Sequence, residues 1–542
     1  MDVEATATAP ADRAGKLKSP SNASLTERSI AHGENDILGG EKVDRVLAAK
    51  MNMVNDAIDE IGFTPHHWKL FCLNGFGYAV DSLILLIQSI ISTQAGYEFN
   101  PSYSTGLTIA VYVGMLVGAI FWGFSADIIG RRFAFNVSLF VSAVFTVVAG
   151  ASPSWTVLGL FICLSAFGAG GNLVLDTTVF LEYLPSKSQW LLTLMAAWWG
   201  LGQLIAGLFA WAFLPNFSCS DAATCTYENN MGWRYVWYTS GAFVFVLSIL
   251  RITIIRLEET PKFLIAEGKD EEAVRVLRKI ADKYQRPCSL TVERLLACGV
   301  TSHRKTTAVG LTQRLIDPRE VMFHFKGLYA TRKMALSTSL VWFSWLLIGL
   351  AYPLYNVFLP TYLASRGAQF GDSSQYTTWR NYAINNTCSI FGPVVAGFMC
   401  RSPWFWGRRG TMIIGALVTM IFFFCYTQVR TESQNLGFTC TISFCLNIYY
   451  GTLYAYTPEV FPSAHRGTGN GVAIGLNRIM GIVSAVVAHS ANVSSTLRLS
   501  CIILIVSQTK TAVPIYICAA LYIVMAIVAA VLPFEPFGRR SS

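Results

Sequence analysis

The chain has 542 residues, of which 53% are hydrophobic and only 13% charged, with a formal net charge of +9. So much apolar matter carrying so little charge excludes an ordinary soluble domain and points to a bilayer as solvent. It also makes a nucleic-acid surface a poor account of the positive charge.

In chain order, residues 1–40 are rich in Ala, Ser, Thr, Gly and charge, and they lack the apolar run of a signal peptide. They read as a disordered tail left in the cytosol. Residues 41–66 read as an amphipathic cytoplasmic segment, because Val43, Leu47, Val54, Ile58 and Ile61 recur at helical spacing. A helix needs roughly 20 apolar residues to cross the hydrocarbon core. Twelve such spans follow, at 69–92, 105–124, 133–151, 156–184, 190–213, 234–255, 335–362, 379–400, 412–428, 437–456, 469–490 and 513–532. The apolar run 501–507 is too short to count. The fold expected is all-α, with a six-helix bundle at 67–255 and another at 335–533. A cytoplasmic linker at 256–334, with an amphipathic helix at 271–284, joins them, and a short tail at 534–542 closes the chain.

Lys and Arg concentrate in alternate loops: Arg131 and Arg132, Lys187, the stretch 256–333, Arg401 with Arg408 and Arg409, Arg466, and Arg539 with Arg540. With the N-terminus inside, all of these loops and both termini are cytoplasmic, so the basic excess reports topology. Most of the 13 Cys fall inside spans, as small apolar fillers. Cys219 and Cys225 instead share the outside loop between spans five and six and could close an oxidised bridge. The same loop carries the glycosylation sequon Asn216-Phe217-Ser218.

The halves echo each other. Span four ends in Glu182, Pro185 and Ser186, and span ten in Glu459, Pro462 and Ser463, at identical offsets. Such a repeat implies a pseudo-two-fold axis along the membrane normal. The run Gly123-x-x-x-Asp127-x-x-Gly130-Arg131-Arg132 between spans two and three has a weaker partner in Gly397, Arg401, Gly407, Arg408, Arg409 and Gly410, where the aspartate is missing. A glutamate at a helix end beside an Arg-Arg loop can form charge-assisted pairs. Asp127, Arg131 and Arg132 are therefore expected to engage Glu182, and Arg408 and Arg409 to engage Glu459, with Arg466 close by, as a cytoplasmic gate. Solvated surface charge that merely sets orientation is the plainer reading.

That span two to three loop resembles the signature loop of the major facilitator superfamily. Three further motifs resemble its sugar-porter-like branch: Glu259-Thr260-Pro261-Lys262-Phe263-Leu264, the Tyr456, Glu459, Pro462, Arg466, Gly469 pattern, and Pro533-Phe534-Glu535-Pro536. Gly75-Phe76-Gly77 with Asp81, and Gly170-Gly171-Asn172-Leu173 with Asp176, are similar to the synaptic-vesicle-glycoprotein-like members, the fungal ones above all. The resemblance implies twelve helices, alternating access and, for many relatives, proton coupling. The hexose-binding Gln-Gln-x-Ser-Gly sequence of span seven is absent, so glucose is not the expected solute. Residues 495–510 read as an insertion before the last span, of the kind a retained intron would introduce.

An ionisable residue inside a span is costly and is a functional candidate by default. Asp81 in span one, Asp176 in span four and Arg478 in span eleven stand out. The resemblance places spans one, four, seven and ten around a central cavity. Partial desolvation there would let Asp81 or Asp176 take up and release a proton during transport. The competing reading is a permanent pair between one aspartate and Arg478. Arg478 could also hold an anionic solute through two parallel hydrogen bonds. Gln203, Asn385, Asn386, Tyr352 and Asn356 are candidate substrate contacts, while Trp198 and Trp199 read as packing. His66, His67, His324, His465 and His489 are scattered, and no metal, nucleophile or phosphate motif is present.

The reading is a non-enzymatic secondary carrier of a small organic solute, an organic acid, sugar-like or aromatic compound, moved by proton symport. It needs no cofactor, and its partners are the solute, protons and the lipid bilayer. It is expected to be a monomer in the plasma membrane. Proton-driven efflux of drugs or secondary metabolites is one alternative, and a non-transporting sensor on the carrier scaffold is another.

Overall fold

The computed structural model describes residues 45–219, 221–255, 257–299, 318–365, 375–493 and 513–536, with side chains described at all of these except 45, 255, 352–365, 375, 487–493, 513 and 514. The expectations for the tail 1–40, for the insertion at 495–510 and for the last residues of the C-terminal tail lie outside this set.

The N-terminal half contains Pro65–Phe99, Gly106–Ile128, Arg131–Ala149, Trp155–Tyr183, the broken helix Trp190–Met195 with Ala197–Phe217, and Gly232–Leu250. The C-terminal half contains Arg332–Ser365, Gln375–Arg401, Gly407–Tyr426, Glu432–Val460, Arg466–Val493 and Val513–Val531. These are spans one to twelve in order. Among the described residues nine helices are long and apolar enough to cross a membrane, and Ile515–Val531 is a shorter apolar helix. Spans ten and eleven are as long but are diluted by polar residues such as Asn447, Asn470, Asn477 and Arg478. Local signals set several ends. Ser154 Oγ accepts from Val157 N–H at the start of span four, and Thr431 and Gln434 form a capping box on span ten.

The halves meet along two seams, span two against span eleven and span five against span eight. Glycine makes the first seam possible. A Cβ added at Gly123 would lie 2.7 Å from the Gly467 carbonyl oxygen and 3.0 Å from Gly471 Cα, too close for any other residue.

The end of the molecule bearing the Arg131 loop, called the basic end below, is covered by short helices. Helix Arg45–Ile61 buries Met51, Val54, Ile58 and Ile61 against the linker helices Pro261–Ala266 and Asp270–Lys283. Its apolar face is therefore satisfied by the protein itself. Lys50 Nζ bonds Asp270 Oδ2 at 2.5 Å, and Asp59 accepts from the Ser186 N–H and hydroxyl at 2.7 and 2.9 Å.

At the opposite end, Cys219 and Cys225 are joined in a disulfide with Cα atoms 5.4 Å apart. Beside it Arg234, the second residue after Gly232 in span six, forks onto Glu98 at the end of span one with bonds of 2.7 and 2.8 Å. Trp233 Nε1 adds a third bond to Glu98 at 3.0 Å, and the guanidinium lies over the Trp233 and Tyr227 rings. Removing one member of a buried, two-point ion pair leaves an uncompensated charge. Arg234→Gln is therefore expected to lower stability by about 3 kcal/mol, read as a lower unfolding temperature of the purified protein, whereas Lys279→Gln, in an exposed pair with Glu258, should change it little.

Candidate functional site

Asp81 and Arg478 meet inside the molecule. Arg478 Nη2 donates to Asp81 Oδ2 at 2.8 Å, joining span one of the first half to span eleven of the second, and both side chains are almost wholly buried. Asp81 lies near the middle of its 35-residue helix. The contact is made at one point only. Asp81 Oδ1 and Arg478 Nε have no hydrogen-bond partner among the described residues, although guanidinium and carboxylate usually meet through two parallel bonds.

Asp176 has a different partner. Arg251, at the end of span six, donates from Nη2 to Asp176 Oδ1 at 2.5 Å and from Nη1 to the Phe135 carbonyl at 3.0 Å, with its guanidinium over the Phe135 ring. This pair stays within one half. Gly77 permits it, since a Cβ there would collide with Asp176 Oδ2 and Arg251 Nη2. Arg251 was not a candidate from sequence, because it stands at a span end where charge is cheap. The available signal was weaker than for Arg478, since only four residues, Ile252 to Ile255, separate Arg251 from Arg256.

Aromatic rings surround the central pair. Tyr454 on span ten stacks on Trp345 of span seven, with centroids 4.8 Å apart and planes 12° from parallel, and faces Trp199 at 6.0 Å and Tyr78 at 6.4 Å from the other half. The Arg478 guanidinium lies 5.9 Å from the Trp199 ring centre. Trp199 thus faces the junction, while Trp198 packs over Gly75 and Phe76.

The remaining expected contacts are not gathered there. Asn386 donates back to the Tyr382 carbonyl on its own helix, and Asn385 accepts from Ser443, tying span eight to span ten. Gln203 is half-buried on span five. Tyr352 and Asn356 fall outside the described side chains.

At the basic end the two halves exchange arginines. Arg131 Nη2 lies 3.1 Å from Asp127 and 3.3 Å from Glu182, and it also donates to the Ser463 carbonyl of the second half at 2.8 Å. Arg408 Nε donates to Glu459 at 2.7 Å, and its guanidinium reaches into the first half to Thr193 Oγ1 and to the Gln189 carbonyl at 3.0 Å. Arg466 bridges across to Glu182 at 3.6 Å. Asp127 accepts from the N–H groups of Gly467 and Thr468 at 3.1 and 2.7 Å, at the start of span eleven.

Arg132 and Arg409 do not engage Glu182 and Glu459 as expected. Their backbone N–H groups donate instead to Glu259 and Glu535, at 3.3 and 3.1 Å. Arg131 and Arg408 N–H donate to the other oxygen of the same two carboxylates, at 2.9 and 3.0 Å. Each glutamate caps the orphan donors at a helix start, and the two caps are equivalent under the repeat. His324 and His465, expected to stand apart, touch through Nδ1 atoms 2.9 Å apart. Burial, and then His324, push the His465 imidazole down to about 4, so it is neutral at ordinary cellular pH.

Two six-helix bundles, latched at one end by exchanged arginines and enclosing an ion pair shared between them, define a membrane transporter. Residues 70–485 match the family model described as the Major Facilitator Superfamily, and the chain belongs to that family. It is 40% identical over 535 residues to "MFS siderochrome iron transporter 1" of Ceriporiopsis subvermispora, covering 96% of this chain and 99% of the relative. It is 25% identical to the synaptic vesicle 2-related protein of Rattus norvegicus, over 81% of this chain and 75% of that protein. In fold it is similar to the proton:xylose symporter XylE bound to 6-bromo-6-deoxy-D-glucose, at a TM-score of 0.61, 16% identity, and 88% and 98% coverage of the two chains.

Asp127→Asn removes the charge behind two hydrogen bonds across the latch, worth about 1.5 kcal/mol or about ten-fold in the opening equilibrium. With Ser463→Cys as reporter, and the other native cysteines except Cys219 and Cys225 replaced, labelling by an impermeant maleimide from the basic side is expected to quicken by that order.

Proposed function

We propose that the protein is a proton-coupled secondary transporter of a small organic anion, working by alternating access, with its basic end and both termini in the cytosol of a plasma membrane and a single chain as the working unit. The observation that carries the reading is the Asp81–Arg478 pair, buried where the two bundles meet. Alternating access requires the bundles to rock, so a charge pair shared between them is a natural control point.

Charge balance supplies the coupling. The empty carrier holds one carboxylate and one guanidinium and is neutral at its centre. A proton on Asp81 frees Arg478, and an anionic solute on Arg478 restores neutrality. A proton alone, or an anion alone, leaves a net charge that must be carried through a low-dielectric interior, which is strongly unfavourable. Only the empty and the doubly loaded forms then reorient readily, and the two species move together. Asp176 is held by Arg251 inside one rigid half, which favours a structural role for it and assigns the coupling to Asp81.

The positive-inside tendency supports the orientation, since the Arg131, Lys187, Arg408 and Arg466 loops share one end. The 40% identical relative is named a siderochrome transporter, so a siderochrome belongs beside organic acids and sugar-like compounds in the panel to be tested.

Reconstituted into liposomes with an imposed inward proton gradient, the wild-type chain is expected to accumulate a solute uphill. Asp81→Asn should lose at least about 90% of that accumulation while keeping solute exchange, because its loaded form is still neutral and its empty form is not. Asp176→Asn should lower thermal stability by about 3 kcal/mol and leave the proton dependence of the surviving protein in place. Uphill accumulation by Asp81→Asn equal to wild type would rule the coupling out.

A further inference from the structure

The linker helix Asp270–Lys283 stops where Gln285 takes a positive φ of 52° and Pro287 cannot continue the turn. From 286 to 291 the chain runs without helix or strand, and Arg286, Pro287 and Ser289 are exposed.

Ser289 stands between opposite charges. Its N–H donates to Glu60 Oε2 at 2.8 Å, which ties the end of helix Arg45–Ile61 to the linker. Its hydroxyl accepts from Arg294 Nη1 at 3.4 Å, and the same nitrogen donates to the Ser289 carbonyl at 3.0 Å. Arg278 adds a second guanidinium alongside, donating from Nη2 to the next carbonyl, that of Leu290, at 3.2 Å. A neutral hydroxyl draws little from these cations. A phosphoryl group on the same oxygen carries nearly two negative charges and three acceptor oxygens, which a guanidinium holds through parallel bonds. It would also face the Glu60 carboxylate, a like charge. Added charge at Ser289 therefore favours Arg294 and disfavours Glu60.

The sequence supplies access for an enzyme. Arg286 precedes Ser289 by three positions, and a serine kinase with carboxylates in its peptide groove reads an arginine so placed on an extended substrate. Leu290 is buried, so the stretch must lift locally during transfer, a small opening for a segment outside regular structure.

We propose that Ser289 is a phosphorylation site for an arginine-directed protein kinase, and that its phosphate releases the end of helix Arg45–Ile61. The serine oxygen attacks the γ-phosphorus of ATP, and the new O–P bond forms as the bond to the β–γ bridging oxygen breaks. ADP leaves with that electron pair, and the hydroxyl proton passes to the aspartate of the kinase. The phosphate then turns to Arg294, and Glu60 is repelled from the Ser289 N–H. Asp59, beside Glu60, holds the N–H and hydroxyl of Ser186, so the loosened end borders the latch at Glu182. The inference rests on the reading that the basic end faces the cytosol, where ATP is.

The full-length protein in lipid nanodiscs, incubated with ATP and the catalytic subunit of an arginine-directed serine kinase, tests both parts. Site mapping by mass spectrometry is expected to find phosphate on Ser289, with an initial rate about ten-fold lower in Arg286→Ala, the loss of one charge-assisted contact. Amide hydrogen exchange over 55–61 should quicken about five-fold in the phosphorylated protein, the scale of an exposed charge interaction. Glu60→Gln should abolish that difference, because its amide oxygen still accepts from Ser289 but carries no charge. A peptide of residues 283–293 serves as the positive control. Phosphate on the peptide but not on Ser289 of the folded protein, or equal exchange with and without phosphate, would overturn the proposal. Nanodiscs expose both faces, so that result is independent of orientation. Kinase added to sealed vesicles reads orientation separately: modification of right-side-out vesicles alone would overturn the cytosolic placement of the basic end, and with it access to ATP.

Discussion

Charge placed inside a membrane protein must be matched, and that requirement organises this molecule. Among the described residues six buried arginines lie in the spans or at their ends, and each has its carboxylate: Arg131 with Asp127 and Glu182, Arg234 with Glu98, Arg251 with Asp176, Arg408 with Glu459, Arg466 with Glu182, and Arg478 with Asp81. A pair of this kind adds little net stability over an apolar core, but breaking it is expensive. It therefore acts as a specification, fixing which helices may be neighbours. Pairs confined to one half, such as Asp176–Arg251, tie helices of that half to one another. Contacts shared between halves, such as Asp81–Arg478 and Arg131 with Ser463, are the ones that the proposed rocking of the halves would have to break.

The gate shows how a duplicated unit makes a reciprocal lock. Arg131 and Arg408 are 51 residues from Glu182 and Glu459 respectively, and each reaches past its own glutamate to a carbonyl of the other half. Glu259 and Glu535 cap the starts of spans three and nine in the same way. Asp127 breaks the symmetry, since only the first half has an aspartate that seizes the start of the opposite half's helix. Its missing counterpart is visible in the second-half loop, which runs Arg401, Gly407, Arg408 without a carboxylate.

Much of the fold was legible because a bilayer leaves few choices: length and apolarity declare a span, and spans ten and eleven, polar as they are, were still long enough to recognise. The repeat of Glu182-Pro185 with Glu459-Pro462 pointed to the paired halves. Of the site, the rule that flags buried charge found Asp81, Asp176 and Arg478. It passed over Arg251, Arg234 and Glu98, which sit at span ends where sequence cannot tell a solvated charge from a buried one. Trp199 and Tyr454 were invisible as a pair because aromatic residues are common in spans for packing alone.

The sequence by itself indicated the order and approximate position of the spans, the duplication and the clustering of basic residues in alternate loops, since each depends on residues close together in the chain, while helix lengths came out longer, as in Pro65–Phe99 against the expected 69–92. Only the tertiary structure decided the partners. Asp81 and Arg478 are 397 residues apart, and whether an arginine meets Asp81, Asp176 or neither depends on how helices rotate and stack, which no local pattern records. The physical reason is range: hydrophobic periodicity is written over a few turns, whereas a charge pair is settled by the packing of whole bundles.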